Sequence, residues 1–191
     1  AQHFYELKSL YSYVEKLKPK NILEIGIQTG GTLIFWINAT QDNAKIIGID
    51  NDINTDNRMY SWKKWLNENQ KLYIINKESQ KSIEEVNTVL QGEELDFLFI
   101  DGYHIMPVPK IDYEMYSPLV RNGGIIAFHD IGMSTTNNDI LSVGNYYWEN
   151  LRYDVMKKGW KAEEFCYNYK DQYNRNGAGI GMIIKNKEDK L

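Results

Sequence analysis

An α/β fold built on a mainly parallel sheet is predicted by three observations. Short apolar runs alternate with helix-periodic stretches along the whole chain. The run Asn21 to Thr32, Asn-Ile-Leu-Glu-Ile-Gly-Ile-Gln-Thr-Gly-Gly-Thr, passes from a buried-strand pattern into glycines and then into a helix. Leu95 to Ile100 is nearly all apolar, as a central strand covered on both faces should be.

Each element follows from local pattern. From His3 to Lys18, the residues Phe4, Leu7, Leu10, Tyr11, Val14 and Leu17 mostly recur three or four apart, predicting an amphipathic helix that Pro19 stops. The opening strand comes next, then a helix over Thr32 to Ala39 and a second strand over Lys45 to Ile49 that ends in Asp50. Together they form a βαβ unit with a right-handed crossover. Arg58 to Leu66 reads as a helix presenting Met59, Trp62, Trp65 and Leu66 to the core, and Leu72 to Ile75 as a third strand. Ser79 or Ser82 is expected to cap a helix carrying Ile83, Val86, Val89 and Leu90 and ended by Gly92.

The fourth strand runs into Asp101-Gly102-Tyr103-His104. A helix over Ile111 to Leu119, closed by Asn122-Gly123-Gly124, leads to a fifth strand over Gly124 to Phe128 and into His129-Asp130. Ile131 to Ser142 lacks periodicity, and long loops in compact domains are commonly functional. Tyr146 to Lys157 resumes a helical pattern; its Tyr146, Tyr147 and Trp148 suit either a core or a substrate-stacking role. Trp160 to Tyr167 and Gly179 to Ile184 read as strands joined by the polar turn Asn168 to Asn176, so an antiparallel hairpin should finish the sheet. Cys166 is expected to be a small buried hydrophobe. The organisation expected is a single domain over 1–191: an N-terminal helix over 1–18, a cofactor-binding core over 21–130, an active-site loop over 131–142, and a helix with the terminal hairpin over 143–191.

Composition narrows the function classes. The chain has 191 residues, enough for one well-buried core, and a single cysteine, which excludes an internal disulfide framework. No apolar run approaches the roughly 20 residues that span a bilayer, and the N-terminus lacks a signal-peptide pattern, so the expectation is a cytoplasmic protein with no membrane partner. The net charge is −4 with Lys and Arg dispersed, leaving no basic field for nucleic acid.

The glycine turn itself selects a ligand. Dinucleotide-binding turns need G-x-G-x-x-G, with the second glycine touching pyrophosphate. Counting from Gly26, that position is Gln28. Glu24 sits badly beside a pyrophosphate but well beside a cation. Asp50 lies about 20 residues after the turn, where a carboxylate accepts both hydroxyls of a ribose. A positively charged nucleoside without phosphate satisfies all three residues.

The segments Glu24-Ile-Gly-Ile-Gln-Thr-Gly30-Gly31-Thr32, Asp50, Asp96-Phe-Leu-Phe-Ile-Asp101-Gly-Tyr-His104 and Gly123-Gly-Ile-Ile-Ala-Phe-His-Asp130 resemble those of class I S-adenosylmethionine-dependent methyltransferases. Among them the chain is most similar to the cephalosporin hydroxylase-like and macrolide-sugar O-methyltransferase group, from about His3 to Lys185. The resemblance implies a Rossmann-like doubly wound sheet of seven strands in order 3-2-1-4-5-7-6, with strand 7 antiparallel. It places S-adenosylmethionine at the carboxyl ends of strands 1, 2 and 4. The cofactor-binding set it implies is Glu24, Gly26, Gln28, Gly30, Thr32, Asp50, Ser79 and Asp101, with Gly26 and Gly30 towards methionine, Asp50 towards ribose, and Lys77 to Gln80 towards adenine.

The acceptor chemistry falls to two strand ends. A divalent cation lowers the pKa of a coordinated hydroxyl, and Asp101 and Asp130, at the ends of neighbouring strands, are a pair able to hold one. In the resembling group the equivalent carboxylates bind magnesium. His129 completes the expected metal set of Asp101, Asp130 and His129; magnesium prefers oxygen whereas imidazole suits transition metals, which leaves the cation open. The expected catalytic residues are His104, as a general base, with Asp101 and His129. The expected function is methylation of a hydroxyl oxygen on a small molecule or sugar, in a pocket left open or completed by a second subunit of a homo-oligomer. The alternatives are a nicotinamide-dependent reductase, opposed by Gln28 and by the lack of a Tyr-x-x-x-Lys pair, and a non-catalytic cofactor-binding module.

Overall fold

The computed structural model describes residues 3–52, 61–132, 147–167 and 179–186. Its centre is a seven-stranded sheet of order β3-β2-β1-β4-β5-β7-β6. The strands are β1 Asn21–Ile25, β2 Lys45–Asp50, β3 Lys71–Asn76, β4 Leu95–Ile100, β5 Val120–His129, β6 Lys161–Phe165 and β7 Ile180–Ile184. β3, β2, β1, β4 and β5 pair in parallel, whereas β7 runs antiparallel to both β5 and β6. The strand order, the antiparallel seventh strand and the closing hairpin are as the sequence leads one to expect.

Helices cover both faces: α1 Phe4–Leu17, α2 Gly31–Ala39, α3 Ile83–Leu90, α4 Val108–Tyr116 and α5 Glu149–Lys157. Strand alternation divides the core between them. Ile22, Phe97 and Phe99 point towards α1 and α2, where Trp36 meets both phenylalanines edge-on at 4.9 and 5.4 Å. Leu23, Ile25, Leu98 and Ile100 point the other way, into a layer with Val86, Tyr116, Trp148 and Val155. Among the described residues no helix is long and apolar enough to cross a membrane.

Several local expectations are corrected. Phe4 is exposed, and the buried stripe of α1 starts instead at Glu6, whose carboxylate accepts the Tyr167 and Gly179 backbone N–H groups across the sheet end. Of the helix expected over Arg58 to Leu66, residues 58–60 lie outside the described residues; 61–63 are helical, Trp62 is buried, and Trp65 is exposed rather than in the core. Neither Ser79 nor Ser82 caps α3 through its side chain: Ser79 Oγ donates to Asp112 and Ser82 Oγ to the Glu78 carbonyl. The Asn122-Gly123-Gly124 segment does not close a helix but lies inside β5, which begins at Val120. Cys166 lies past the end of β6 and is exposed. The expected loop beyond Gly132, Tyr146 and the turn from Asn168 to Asn176 lie outside the described residues.

Candidate active site

The parallel strands all deliver their carboxyl ends to one edge of the sheet, where an open α/β sheet forms its ligand crevice. The β1 end is fixed by a close backbone crossing. Asp101 N donates to Ile25 O at 2.8 Å and Gly26 N to Ile49 O at 2.8 Å. A Cβ on Gly26, whose φ is +89°, would stand 2.2 Å from the Asp101 carbonyl oxygen, so only glycine fits and the turn touches the β4 end directly. Gly30, at φ +76°, faces Trp62: a Cβ there would stand 2.1 Å from the indole nitrogen, which itself reaches the Thr29 carbonyl at 3.3 Å. Trp62 is therefore a wall of this turn that helical periodicity had read only as core.

Gln28 adopts the left-handed conformation at φ +48°, which a glycine would adopt more cheaply. Its N–H is committed to Asp50 Oδ2 at 2.6 Å, while Asp50 Oδ1 accepts the Asp52 N–H at 2.8 Å. Asp50 thus ties the β2 end to the turn, and the N–H that a pyrophosphate would need is spent on a carboxylate. Beneath the turn Glu24 is fully buried. Thr32 Oγ1 donates to its Oε1, and Oε2 has no hydrogen-bond partner. Burial drives its pKa well above the ordinary range; the Thr32 hydroxyl lowers it, the Asp101 and Asp50 charges raise it further, and the Trp36 indole pulls weakly down.

On the adenine side of the sequence reading, Ser79 lies in the 3-10 turn Ser79–Lys81 after β3. It donates to Asp112 Oδ1 at 2.6 Å; Gln80 Nε2 donates to the same oxygen at 2.9 Å, and the Tyr116 hydroxyl donates to the Ser79 carbonyl at 2.5 Å. Asp112 was not singled out by sequence, although an acid on the buried stripe of α4, between Pro109 and Tyr116, is the signal that would have found it. Burial raises its pKa, and the Ser79 and Gln80 hydrogen bonds draw it back.

At the β4 and β5 ends, the residues expected to carry the acceptor chemistry converge. His129 Nδ1 lies 3.1 Å from both Asp101 Oδ1 and Asp130 Oδ1, and His104 Nε2 lies 3.1 Å from Asp130 Oδ2. Asp130 holds this position in left-handed backbone, φ +62°, a strained choice for a residue other than glycine. Burial alone would lower the His129 pKa, but hydrogen bonds and charge from Asp101 and Asp130 outweigh it and push it up to about 9. The two carboxylates favour the imidazolium form of His129, whose Nε2 is buried and unpartnered. For Asp130, burial acts upward, but the hydrogen bond and charge of His129, with the charge of His104, leave its pKa lowered. Ligand atoms of Asp101, His104 and Asp130 all lie within 4.8 Å of one another. The structure thus groups His104 with the two carboxylates as a possible donor set, and sets His129 behind them.

Comparison with known proteins now bears on this crevice. A family described as "Methyltransferase domain" matches residues 23–131, more than half of the chain. The chain belongs to the methyltransferase-domain family. The matched segment spans the glycine turn, Asp50, Asp101 and Asp130, and with the strand order it bears out the resemblance to class I methyltransferases. Among solved structures, an O-methyltransferase from Bacillus cereus in complex with SAH superposes with a TM-score of 0.73 at 19% identity, covering 97% of this chain and 83% of that one. The O-methyltransferase TomG from Streptomyces achromogenes, involved in tomaymycin synthesis and solved with SAM, superposes with a TM-score of 0.71 at 14% identity, covering 98% and 82%. At such identities the likeness is one of fold. Comparison with curated protein sequences returns no match.

Proposed function

We propose that this methyltransferase-domain chain transfers a methyl group from S-adenosylmethionine to a hydroxyl oxygen of a small molecule or sugar, with a divalent cation held at Asp101 and Asp130. The observation that carries this reading is the contact between two features: the glycine turn at Gly26 lies against the backbone of Asp101, whose carboxylate joins Asp130 and His104 in one cluster. A cofactor at the turn and an acceptor at the cluster would be neighbours, which is what an in-line displacement needs. Similarity to O-methyltransferases of the same fold supports the choice of oxygen as acceptor.

The donor set fits a cation: two carboxylates and one imidazole, close enough to share it, with the nitrogen favouring a transition metal over magnesium. When bound, the cofactor supplies a methyl group on a sulfonium and the cation lowers the pKa of the acceptor hydroxyl. The remaining work belongs to the chain. Asp50 and Thr32 order the turn, Gly26 and Trp62 shape it, and the 3-10 turn at Ser79 faces the base. His129 holds the two carboxylates at fixed spacing and offsets part of their mutual repulsion. Residues 21–130 form the cofactor core of a single domain.

A second reading is favoured by the 3.1 Å contact of His104 with Asp130. Without a cation, Asp130 holds the Nε2–H of His104, and Nδ1 would take the hydroxyl proton as the oxygen bonds to the methyl carbon and the C–S bond to the cofactor breaks. One experiment tests both. Methyl-labelled S-adenosylmethionine is incubated with a panel of phenols, catechols and sugars, with and without chelator and with manganese or magnesium restored. Transfer that a chelator abolishes and manganese restores supports the cation; transfer indifferent to chelator supports the His104–Asp130 pair. No transfer to any acceptor, despite cofactor binding, would leave the non-catalytic module in place of the enzyme.

A further inference from the structure

Glu6 has no exposed surface, yet it sits on the inner stripe that α1 otherwise builds from Leu7, Leu10 and Val14. An apolar side chain would cover the sheet there without a desolvation cost, so a carboxylate is retained for the donors it meets. Each oxygen meets one. Oε1 accepts the Tyr167 N–H at 3.2 Å, two residues past β6, and Oε2 accepts the Gly179 N–H at 3.1 Å, immediately before β7. A glutamate in the first turn of a helix commonly serves that helix's own N-terminus. This one reaches instead to the strand ends beside the working edge of the sheet.

Gly179 passes that hold on to the acceptor cluster. Its carbonyl accepts the Ile131 N–H at 3.3 Å, and Ile180 after it pairs with His129 in the ladder between β5 and β7. The Ile131 N–H belongs to the peptide that follows Asp130. The ladder on one side and this bond on the other therefore fix the backbone of Asp130, and with it the direction from which the carboxylate meets His104 and His129. The junction has no slack. A Cβ on Gly179, whose φ is +74°, would stand 2.7 Å from Cys166 Sγ, 3.0 Å from Ile131 Cγ1 and 3.1 Å from Gly132 N, so a shift of Gly179 is a shift of the segment carrying Asp130.

We propose that Glu6 is a positioning residue for the acceptor cluster: by holding Gly179 it fixes the peptide after Asp130 and so the geometry in which Asp130 meets a cation or His104. The inference rests on the acceptor-site reading above, and adds to it a helix that lies outside the matched segment 23–131. Glu6 touches neither cofactor nor acceptor. In Glu6→Gln the amide NH₂ must face one of the two N–H donors, so the clamp loses one of its bonds with little change in volume.

The test compares the full chain, Glu6→Gln and, as a control from the opposite end of the sheet, Asp96→Ala. Mn2+ is titrated with the free ion followed by electron paramagnetic resonance, S-adenosylhomocysteine is titrated by calorimetry, and amide hydrogen exchange is read by NMR. Glu6→Gln should weaken Mn2+ binding about tenfold, as loss of an outer support does, with S-adenosylhomocysteine affinity close to wild type. Its Ile131 amide should lose protection relative to the amides of β1, whereas Asp96→Ala should lose stability and keep both Mn2+ affinity and Ile131 protection. A Glu6→Gln protein that is merely less stable, with Mn2+ affinity and Ile131 protection like those of Asp96→Ala, would overturn the proposal and leave Glu6 as a prop for the hairpin. If Glu6→Gln does not fold, the wild type decides: Gly179 and Ile131 amides should open together, and an Ile131 amide that exchanges freely while Gly179 is protected overturns the proposal. A wild type that takes up no Mn2+ would remove the cation from the proposed function, a separate failure, and the Ile131 amide would then decide the role of Glu6.

Discussion

The two ends of the sheet are built by opposite rules. At the amino ends of the strands, polar groups are paired into fasteners. Asp96 Oδ2 accepts the Lys20 and Asn21 N–H groups at 2.7 and 2.9 Å, and its Oδ1 binds Arg121 at the start of β5. Asn21 Nδ2 donates to Glu93 and to the Glu94 carbonyl, and Lys20 and Lys45 pair with Glu93. Only Asn21 Oδ1 is left buried without a partner among these groups. At the carboxyl ends, Glu24 Oε2, Asp112 Oδ2 and His129 Nε2 are all buried and unpartnered. Unpaired polarity costs stability, and it persists where function needs it. The contrast separates a fastening end from a working end of one sheet.

Substitutions at the two ends should therefore have different signatures. The largest effect is expected at Asp130. Asp130→Asn should lower the methyl-transfer rate about 10²- to 10⁴-fold and erase any dependence on added manganese or magnesium, with S-adenosylhomocysteine affinity largely retained in calorimetry. Gly26→Ala comes next: with its Cβ driven into the Asp101 carbonyl, it should cost about 3 kcal/mol in urea unfolding and weaken cofactor binding as well. At the opposite end, Asp96→Ala should cost about 2–3 kcal/mol by orphaning two part-buried N–H groups and a guanidinium. Its cofactor affinity should match the wild type; a large loss of affinity would erase the distinction between the ends.

The smallest effect concerns Glu24 and pH. Its folded pKa is raised above the unfolded value by burial, so the native state holds the proton longer than the unfolded chain. Stability should then fall as pH rises from the ordinary carboxylate range, about 4.3, through the raised folded value, because the unfolded state loses its proton first. Glu24→Gln should flatten that part of the profile of denaturation midpoint against pH. An unchanged slope would mean that Glu24 titrates normally in the folded protein.

Much of this architecture was legible in the sequence, because a parallel sheet writes itself as alternating apolar runs and helical faces. β1, β2 and β4 needed only that periodicity, and Gly26, Asp50 and Asp101 only the spacing between strand ends. The turn after β3 was harder. Ser79 looked like a helix cap because Ser followed by a helical run is a local signal, and its true partner, Asp112, lies 33 residues away on another helix. His104 and His129 were both visible as strand-end histidines, but their division of labour depends on side-chain directions: His129 turns Nδ1 onto both carboxylates, while His104 reaches Asp130 from the far side. Trp65 and Phe4 satisfied helical spacing and still face solvent, since periodicity marks a face without saying where the apolar stripe begins or ends.

What the working end binds, a sulfonium nucleoside or a dinucleotide, is the central question. Calorimetric titration of the chain with S-adenosylmethionine and, in parallel, with NADH tests it most directly. The prediction is saturable binding of S-adenosylmethionine at one site per chain and no heat from NADH, because the Gln28 N–H is held by Asp50 rather than offered to a pyrophosphate. Binding of NADH without binding of S-adenosylmethionine would contradict it.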